Sequence, residues 1–364
     1  MSRLCKIISL PKAQPWGEIC NMKKIKDENI NSKKVLLRVD FNVAIEDGHI
    51  KEKFKIGACK ETLKYLLENN CKVALCSHLG RPEGKVNPDF SLRQIEGDVE
   101  NILGVKVKFI DNCIGDKVKI ELGNLQPGEV LLLENVRFYP GEEANDADFA
   151  QKLAGNFDFF INDAFSVCHR DQASVTGVAK ILPSAAGMRL QKEVEEMEKV
   201  KNNFEKPAVA IIGGAKIETK LPVIKTFEKI YDSVLVGGKI ANEAIDQKIQ
   251  FSGKVFLPID FIDDRLDVGP NTINKFTEII KTAKTIVWNG PMGKFEEEKY
   301  AQGTQKIFES IMSSRAYAVV GGGETLEILE RNQAMDKIGF VSTGGGAMLE
   351  YLSGNPMPGI EILE

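Results

Sequence analysis

Strand-length apolar runs alternate with helix-length amphipathic segments along the whole chain, and this alternation limits the fold more than any other feature. It is the pattern of parallel sheets covered by helices on both faces; sandwiches and helical bundles lack it. In the first half the spacing predicts strands over residues 35–39, 72–76, 106–110, 130–133 and 157–162. In the second half each predicted strand runs into glycines: 208–212 into Gly213-Gly214, 233–236 into Gly237-Gly238, 317–320 into the glycines at 321–323, and 340–342 into those at 344–346. One such turn is ordinary turn geometry. Four on one sheet edge suggest a nucleotide site, because glycine lets backbone N–H groups approach a phosphate at the following helix N-terminus.

A chain of 364 residues, at roughly 150 per domain, predicts two domains, each with its own core. Gly187-Met188-Arg189-Leu190 opens a long charged helix, about 187–202, whose polarity suits an exposed connector. The hinge is expected there, between a first lobe over 1–186 and a second over 187–345. With 52 acidic against 48 basic side chains, a net −4, the chain lacks the positive field of a general nucleic-acid binder. Any anion site must be local. The longest apolar runs, 130–133 and 316–320, fall far short of the ~20 residues a membrane span needs.

The first apolar patch is broken by Pro11 and Lys12, which gives little support for a secretory leader, and a cytoplasmic protein is expected. Seven cysteines, with no CxxC or Cys/His cluster, indicate neither a disulfide framework nor a structural metal. No P-loop, dinucleotide fingerprint or protein-kinase motif set occurs.

Chemistry-bearing residues gather where the first-half strands end. Asp40-Phe41-Asn42 follows one strand and Ser77-His78-Leu79-Gly80-Arg81-Pro82 the next; Glu134-Asn135-Val136-Arg137 and Asn162-Asp163-Ala164-Phe165 with His169-Arg170 follow two more. In an open parallel sheet these loops share one edge, so Arg81, Arg137 and Arg170 can converge on one small polyanion. Any one of them alone would read as a surface charge.

With these motifs assembled, the sequence resembles the phosphoglycerate kinase family from about Val35 to the C-terminus. The resemblance is carried by Arg38-Val39-Asp40-Phe41-Asn42-Val43, the Ser77–Pro82 stretch, Leu133-Glu134-Asn135-Val136-Arg137-Phe138, Asn162-Asp163-Ala164-Phe165, Gly213-Gly214-Ala215-Lys216, Trp288-Asn289-Gly290-Pro291-Met292-Gly293 with Phe295-Glu296, and Ser342-Thr343-Gly344-Gly345-Gly346-Ala347. It implies two Rossmann-like three-layer α/β/α lobes and reversible phosphoryl transfer between 1,3-bisphosphoglycerate with ADP and 3-phosphoglycerate with ATP, in glycolysis and gluconeogenesis.

The resemblance further implies that Asp40, Phe41, Asn42, Lys55, His78, Leu79, Gly80, Arg81, Arg137 and Arg170 hold the phosphoglycerate. Gly213, Gly214, Lys216, Lys220, Gly237, Asn289, Glu296, Gly322, Gly323, Glu324 and Thr325 would hold the nucleotide, and Glu324 would hold Mg²⁺ through its phosphates. Lys216, Lys55, Gly323 and Gly345 would act on the migrating phosphoryl group. Lys216, read on its own, is either such a point charge at a helix start or a solvated helix lysine. The segment 346–364 would return to the first lobe, and a monomer acting on small molecules, with neither nucleic acid nor membrane as partner, is expected. No general base is needed, because the attacking carboxylate is already ionised.

Four departures touch the implied site. Lys55 stands where the family has an arginine, keeping the charge but losing the planar fork. Glu324 replaces an aspartate at the metal, one methylene longer. Gln172 replaces a second histidine. The segments between Gly238 and Pro258 and between Asp260 and Gly269 are shortened, with Lys239 in place of a glycine, so the adenine wall is altered. The alternative these departures raise is a relative that binds nucleotide or phosphoglycerate without efficient turnover. Residues before Val35 match nothing in this comparison and are expected to form an extra strand or a tail.

Overall fold

After its first residue the run Lys34–Arg38 is wholly buried, as a strand covered on both faces must be, and it forms β1 at the middle of the first sheet. The computed structural model describes residues 21–46 and 49–364, so the patch around Pro11 and Lys12 lies outside the described residues. A short hairpin, β2 (Ile45–Glu46) and β3 (His49–Ile50), leads to helices α1 (Lys53–Gly57) and α2 (Lys60–Glu68). There follow β4 (Lys72–Cys76), α3 (Glu96–Leu103), β5 (Lys106–Ile110), α4 (Asp116–Asn124), β6 (Glu129–Leu133), α5 (Pro140–Glu143), α6 (Ala147–Ala154), β7 (Phe159–Asn162) and β8 (Ser184–Ala186). The sheet order is β5-β6-β4-β1-β7-β8, all parallel. Only the edge strand β5 alternates exposed and buried residues, with Lys106 and Lys108 outward. A charged edge discourages pairing with another chain.

Helix α7 (Met188–Lys201) leads into the second sheet. Its elements are β9 (Ala208–Ile212), α8 (Ile217–Ile230), β10 (Ser233–Val236), α9 (Gly238–Asp246), β11 (Val255–Phe256), a hairpin of β12 (Phe261–Ile262) with β13 (Asp267–Val268), α10 (Pro270–Thr282), β14 (Thr285–Asn289), α11 (Gln302–Ser313), β15 (Tyr317–Gly321), α12 (Gly323–Arg331), β16 (Phe340–Ser342), α13 (Gly345–Leu352) and α14 (Pro358–Glu361). The order β11-β10-β9-β14-β15-β16 is again all parallel.

Alternate residues of each strand enter different cores. Val35 and Leu37 join one cluster and Leu36 another; Ala210 and Ile212 join a third and Val209 and Ile211 a fourth. Each sheet is therefore the middle of three layers. Among the described residues no helix is long and apolar enough to cross a membrane.

Three strands of the two six-stranded sheets escaped the sequence reading, β8, β11 and the central β14, as did the two short hairpins β2–β3 and β12–β13. Strands β8 and β11 are too short to show a period, and β14 was read only for the motif that begins at its end. The connector helix differs from expectation as well. Leu190, Val194, Met197 and Val200 of α7 are buried, and so are Glu193 and Glu196. Glu193 accepts hydrogen bonds from Arg189 and from the Thr343 amide and hydroxyl at 2.7 Å, while Arg189 donates to the Val341 carbonyl and stacks against Phe54 and Phe340. Two of the charges that read as solvent-facing, Glu193 and Glu196, are thus buried and paired, while Lys192, Glu195 and Lys199 stay exposed.

The described part of the N-terminal segment is neither an added sheet strand nor a loose tail. Lys24 bridges to Ala186, the Lys23 amide donates to the Leu363 carbonyl, and Met22 packs in the core that holds Ile360 and Leu363. Nearby, Asn162 donates to the Gly359 carbonyl and the Gly359 amide to the Cys168 carbonyl.

Candidate active site

The order β6-β4-β1-β7 sets four strand ends side by side, and the loops beyond them carry Arg137, His78, Asp40 with Asn42, and Arg170. Asn42 organises the edge: its side-chain oxygen accepts the Gly80 amide at 2.9 Å and its carbonyl accepts Lys55 Nζ at 3.2 Å. Asp40 in turn accepts the Asn42 amide at 3.0 Å. Arg137 is buried and donates through Nη1 to the Gly80 carbonyl at 2.8 Å. Its Nε and Nη2 are buried without a hydrogen-bond partner. Glu143 lies 3.4 Å from Nε, close enough to attract the charge but out of hydrogen-bond alignment.

The pocket is electrostatically frustrated. Burial, Arg170 and Arg38 push the Arg137 guanidinium down to about 10. Burial and then Arg81 lower Arg170. Burial, with Arg38, Arg137, Arg170 and Lys55 around it, holds His78 well below the usual imidazole range. For Lys55, burial opposes the charge, but Asp40 and Glu52 outweigh it and raise its pKa. Crowded cations with orphaned donors are the complement of a multiply charged anion.

Phe41 and Leu79 reach this edge through their backbones only; both side chains are buried in the first lobe's core. Arg81 is exposed at the rim. Gln172 is buried with its Oε1 unpartnered, and so is the Nδ1 of His169. Two residues at the heart of the network had no role in the sequence reading. Arg38 was visible only as the first letter of a motif, although a charged residue closing a buried strand is itself a signal. Glu142 lies in a run of acidic residues that reads as surface.

Across the cleft, β10-β9-β14-β15-β16 end in the glycine turns, followed directly by the N-termini of α8, α9, α12 and α13. These four helix ends point at one edge, although in α8 the Ile217 amide is taken by Glu243 and in α9 the Gly238 and Ile240 amides by the Met292 and Gly214 carbonyls. Gly213 cannot be anything larger: a Cβ there would stand 1.9 Å from the Pro291 carbonyl oxygen. Gly345 is held as tightly, since its Cβ would meet the Gly322 Cα at 2.6 Å. A cavity of about 510 Å³ opens here, lined by Gly214, Gly238, Lys239, Glu296 and Glu324 among others.

Lys220 Nζ donates to Asn289 Oδ1 at 2.6 Å, and Asn289 Nδ2 donates to the Gly321 and Gly345 carbonyls, joining three of the turns. Burial pushes Lys220 down to about 8 against the pull of Glu324 and Glu350. Glu324 is open to solvent at the cavity mouth, yet neighbouring protein atoms and Glu296 still raise its carboxyl above the ordinary value. Thr325 faces inward, its hydroxyl accepting the Gly290 amide at 2.8 Å, so its side chain braces the turn and does not line the cavity. Gly237 donates to the Ile212 carbonyl at 3.0 Å and packs on Met292. Lys216 is exposed just ahead of α8.

The two edges face one another. The Glu52 carboxylate, ion-paired to Lys55 at 3.2 Å, stands 3.2 Å from where a Cβ on Gly323 would lie. Lys55 on α1 and the start of α12 therefore look into the same gap.

The family model for phosphoglycerate kinase matches residues 25–263 and 252–355. The chain belongs to the phosphoglycerate kinase family. The family match begins upstream of Val35, where the sequence reading had stopped, and its two pieces meet in the shortened region of the adenine wall. The phosphoglycerate kinase of Finegoldia magna is 41% identical over 94% of this chain and 99% of its own length; that of Moorella thermoacetica is 39% identical over 93% and 98%. The first of these alignments runs over 392 residues, more than the 364 of this chain, so that relative carries residues that are deleted here. Among solved structures, phosphoglycerate kinase from Pyrococcus horikoshii OT3 superposes with a TM-score of 0.84 at 30% identity, and that from Coxiella burnetii with 0.76 at 32%, each covering 94% of this chain and 98% of its own.

Proposed function

We propose that this chain is a working phosphoglycerate kinase, exchanging a phosphoryl group between 1,3-bisphosphoglycerate with ADP and 3-phosphoglycerate with ATP, the glycolytic reaction of its family. The observation that carries the reading is the buried Arg137 with two orphaned nitrogens in a pocket already crowded by Arg38, Arg170 and Lys55. Such an arrangement is costly empty and stable around a phosphorylated acid. The first lobe, 1–186, holds that acid. The second, 187–345, holds the nucleotide on its glycine turns, and the segment 346–364 ties back to the first. The enzyme acts as a monomer on these small molecules.

Transfer needs little from the protein beyond alignment and charge. Asn42 and Gly80 fix the loop against which the acid's carboxylate lies; Arg137 and Arg170 fix its phosphate. Lys55 and Lys216 approach the migrating group from opposite lobes, and the backbone donors at Gly323 and Gly345 receive its equatorial oxygens. Closure of the lobes keeps water from taking the phosphoryl group.

Among the described residues no cluster of three or more acidic, histidine or cysteine groups could hold a metal by itself. Glu324 fits a divalent cation only together with nucleotide phosphates, which is how Mg²⁺ is commonly held. When bound, Mg²⁺ would neutralise phosphate charge during transfer.

The reading of an impaired relative is not favoured, since near full-length relatives at about 40% identity carry the kinase name and Lys55 keeps the positive charge at its position. A coupled assay with ATP, Mg²⁺ and 3-phosphoglycerate is the test. Steady turnover is expected; none above background at high enzyme concentration would leave only the impaired relative.

A further inference from the structure

We propose that Glu142 is a positioning residue for His78, acting through Ser174 and Arg38 to fix the imidazole as the tautomer that carries its proton on Nε2. Glu142 sits on α5, fully buried. Its Oε2 accepts the Ser174 amide at 2.8 Å and its Oε1 accepts the Ser174 hydroxyl at 2.6 Å. That hydroxyl has one proton and has given it to Glu142, so only its lone pairs are left for Arg38, whose Nε donates to it at 2.9 Å.

Arg38 is likewise fully buried. Its Nη1 donates to the carbonyls of Val39 and Cys76, and its Nη2 lies 3.2 Å from Nδ1 of His78. A guanidinium can only donate. Nδ1 must therefore be the acceptor, and the single proton of the neutral ring must sit on Nε2. Donation from Arg38 is fixed by its own chemistry; what Glu142 and Ser174 fix is its place, because the carboxylate orders the hydroxyl and the hydroxyl's lone pairs hold Nε so that Nη2 faces Nδ1 of the ring.

Neutrality of the ring is supported by its surroundings. Arg38, Arg137, Arg170 and Lys55 all act against a second proton, and no carboxylate contacts the ring among the described hydrogen bonds. Glu142 also supplies the counter-charge without which a buried Arg38 would be costly. The consequence is an imidazole that offers an N–H, not a lone pair, on the side away from Arg38. That suits an anionic ligand, and to this extent the inference rests on the pocket being the phosphoglycerate site.

The experiment reads the tautomer directly, in the ligand-free full chain labelled with ¹⁵N-histidine. There are three histidines, and the His78 signals are those lost in His78→Gln. Long-range ¹H–¹⁵N correlations should show a protonated Nε2 and a bare Nδ1, unchanged between about pH 6 and pH 8. Glu142→Gln keeps an oxygen on the Ser174 amide but sets an N–H against the Ser174 hydroxyl, whose proton must then turn toward Arg38, and Ser174→Ala deletes the bridge while leaving Glu142 in place. In either folded variant His78 should become a mixture of tautomers, and KM for 3-phosphoglycerate should rise about tenfold while kcat and KM for ATP change less than about twofold. A proton on Nδ1 in the unmodified protein overturns the proposal, whether or not any variant folds. So does a folded Glu142→Gln or Ser174→Ala with an unchanged His78 spectrum. Absence of turnover in the unmodified protein would count against the proposed function and leave the spectroscopic result standing.

Discussion

Lys55 Nζ lies 3.2 Å from the carbonyl oxygen of Asn42, the residue whose side chain also holds the Gly80 amide. The ammonium is thus anchored to the acid-binding edge while Glu52, its other partner, reaches across to the start of α12. A lysine here delivers a compact point charge, with donors already turned to the Asn42 carbonyl and to Glu52. An arginine could span the Asn42 carbonyl and a phosphoryl oxygen together. Lys55→Arg should therefore raise kcat several-fold and leave both KM values within a factor of about two, as expected for a contact strengthened in the transition state. Lys55→Ala should lower kcat by ~10³-fold. Steady-state kinetics in the ATP-consuming direction decide it, and an unchanged or lower kcat in Lys55→Arg counts against the assignment.

Arg137 contacts the Gly80 carbonyl and nothing of the second lobe. Arg137→Ala should weaken 3-phosphoglycerate by roughly 10- to 100-fold, the worth of one or two charge-assisted hydrogen bonds. Nucleotide affinity should stay nearly intact. Titration calorimetry with each ligand separately reads both numbers, and equal losses would refute the division of ligands between the lobes.

How much of this was legible beforehand depended on whether a feature is local. The core strands β1, β4, β9 and β10 announce themselves by apolar runs, and the glycine turns by composition, so the three-layer architecture and the two facing edges could be read from the chain. The motif residues Asp40, Asn42, His78, Arg137 and Arg170 could be placed on one edge because the strands of a parallel sheet all end on the same side. What stayed hidden was decided by partners distant in sequence. Glu142 reads as one of several surface acids until Ser174 and Arg38 are seen beside it. Glu193 reads as solvent-facing until Arg189 and Thr343 enclose it. Phe41 and Thr325 belong to ligand motifs, yet their side chains serve packing and bracing.

Lys220 makes the nucleotide site sensitive to pH on the alkaline side. Burial has lowered it to about 8, so the lysine is charged below that pH and neutral above it. A neutral lysine gives up its attraction for phosphate oxygens. With 3-phosphoglycerate saturating, kcat/KM for ATP should be level up to about pH 8 and then fall toward tenfold per pH unit, since this ratio reports groups of the free enzyme. Lys220→Met should start from a lower value and lack that limb. A profile for the unmodified protein that stays level well beyond pH 8 would remove Lys220 from nucleotide binding.

Asp163 makes a different pH dependence, this time in stability. The carboxyl is buried where β7 meets helix α7; its Oδ1 accepts the Leu190 amide at 3.0 Å and its Oδ2 is buried without a partner. Burial pushes it up to about 6 from an ordinary 3.8, against hydrogen bonding from the backbone of α7. A carboxyl raised in the folded state is ionised more readily in the unfolded chain. Its contribution is full below the unfolded value and is lost as pH rises through the folded one. Asp163→Asn keeps the Oδ1 acceptor and cannot ionise. It should therefore stabilise the protein at pH 8 by on the order of 2–3 kcal/mol, with the gain shrinking toward zero near pH 4. Thermal unfolding of both proteins at the two pH values reads the difference. A variant destabilised equally at both would mean that the charged carboxylate is needed to hold α7 against β7, and this junction would have to be explained by a paired, ionised Asp163.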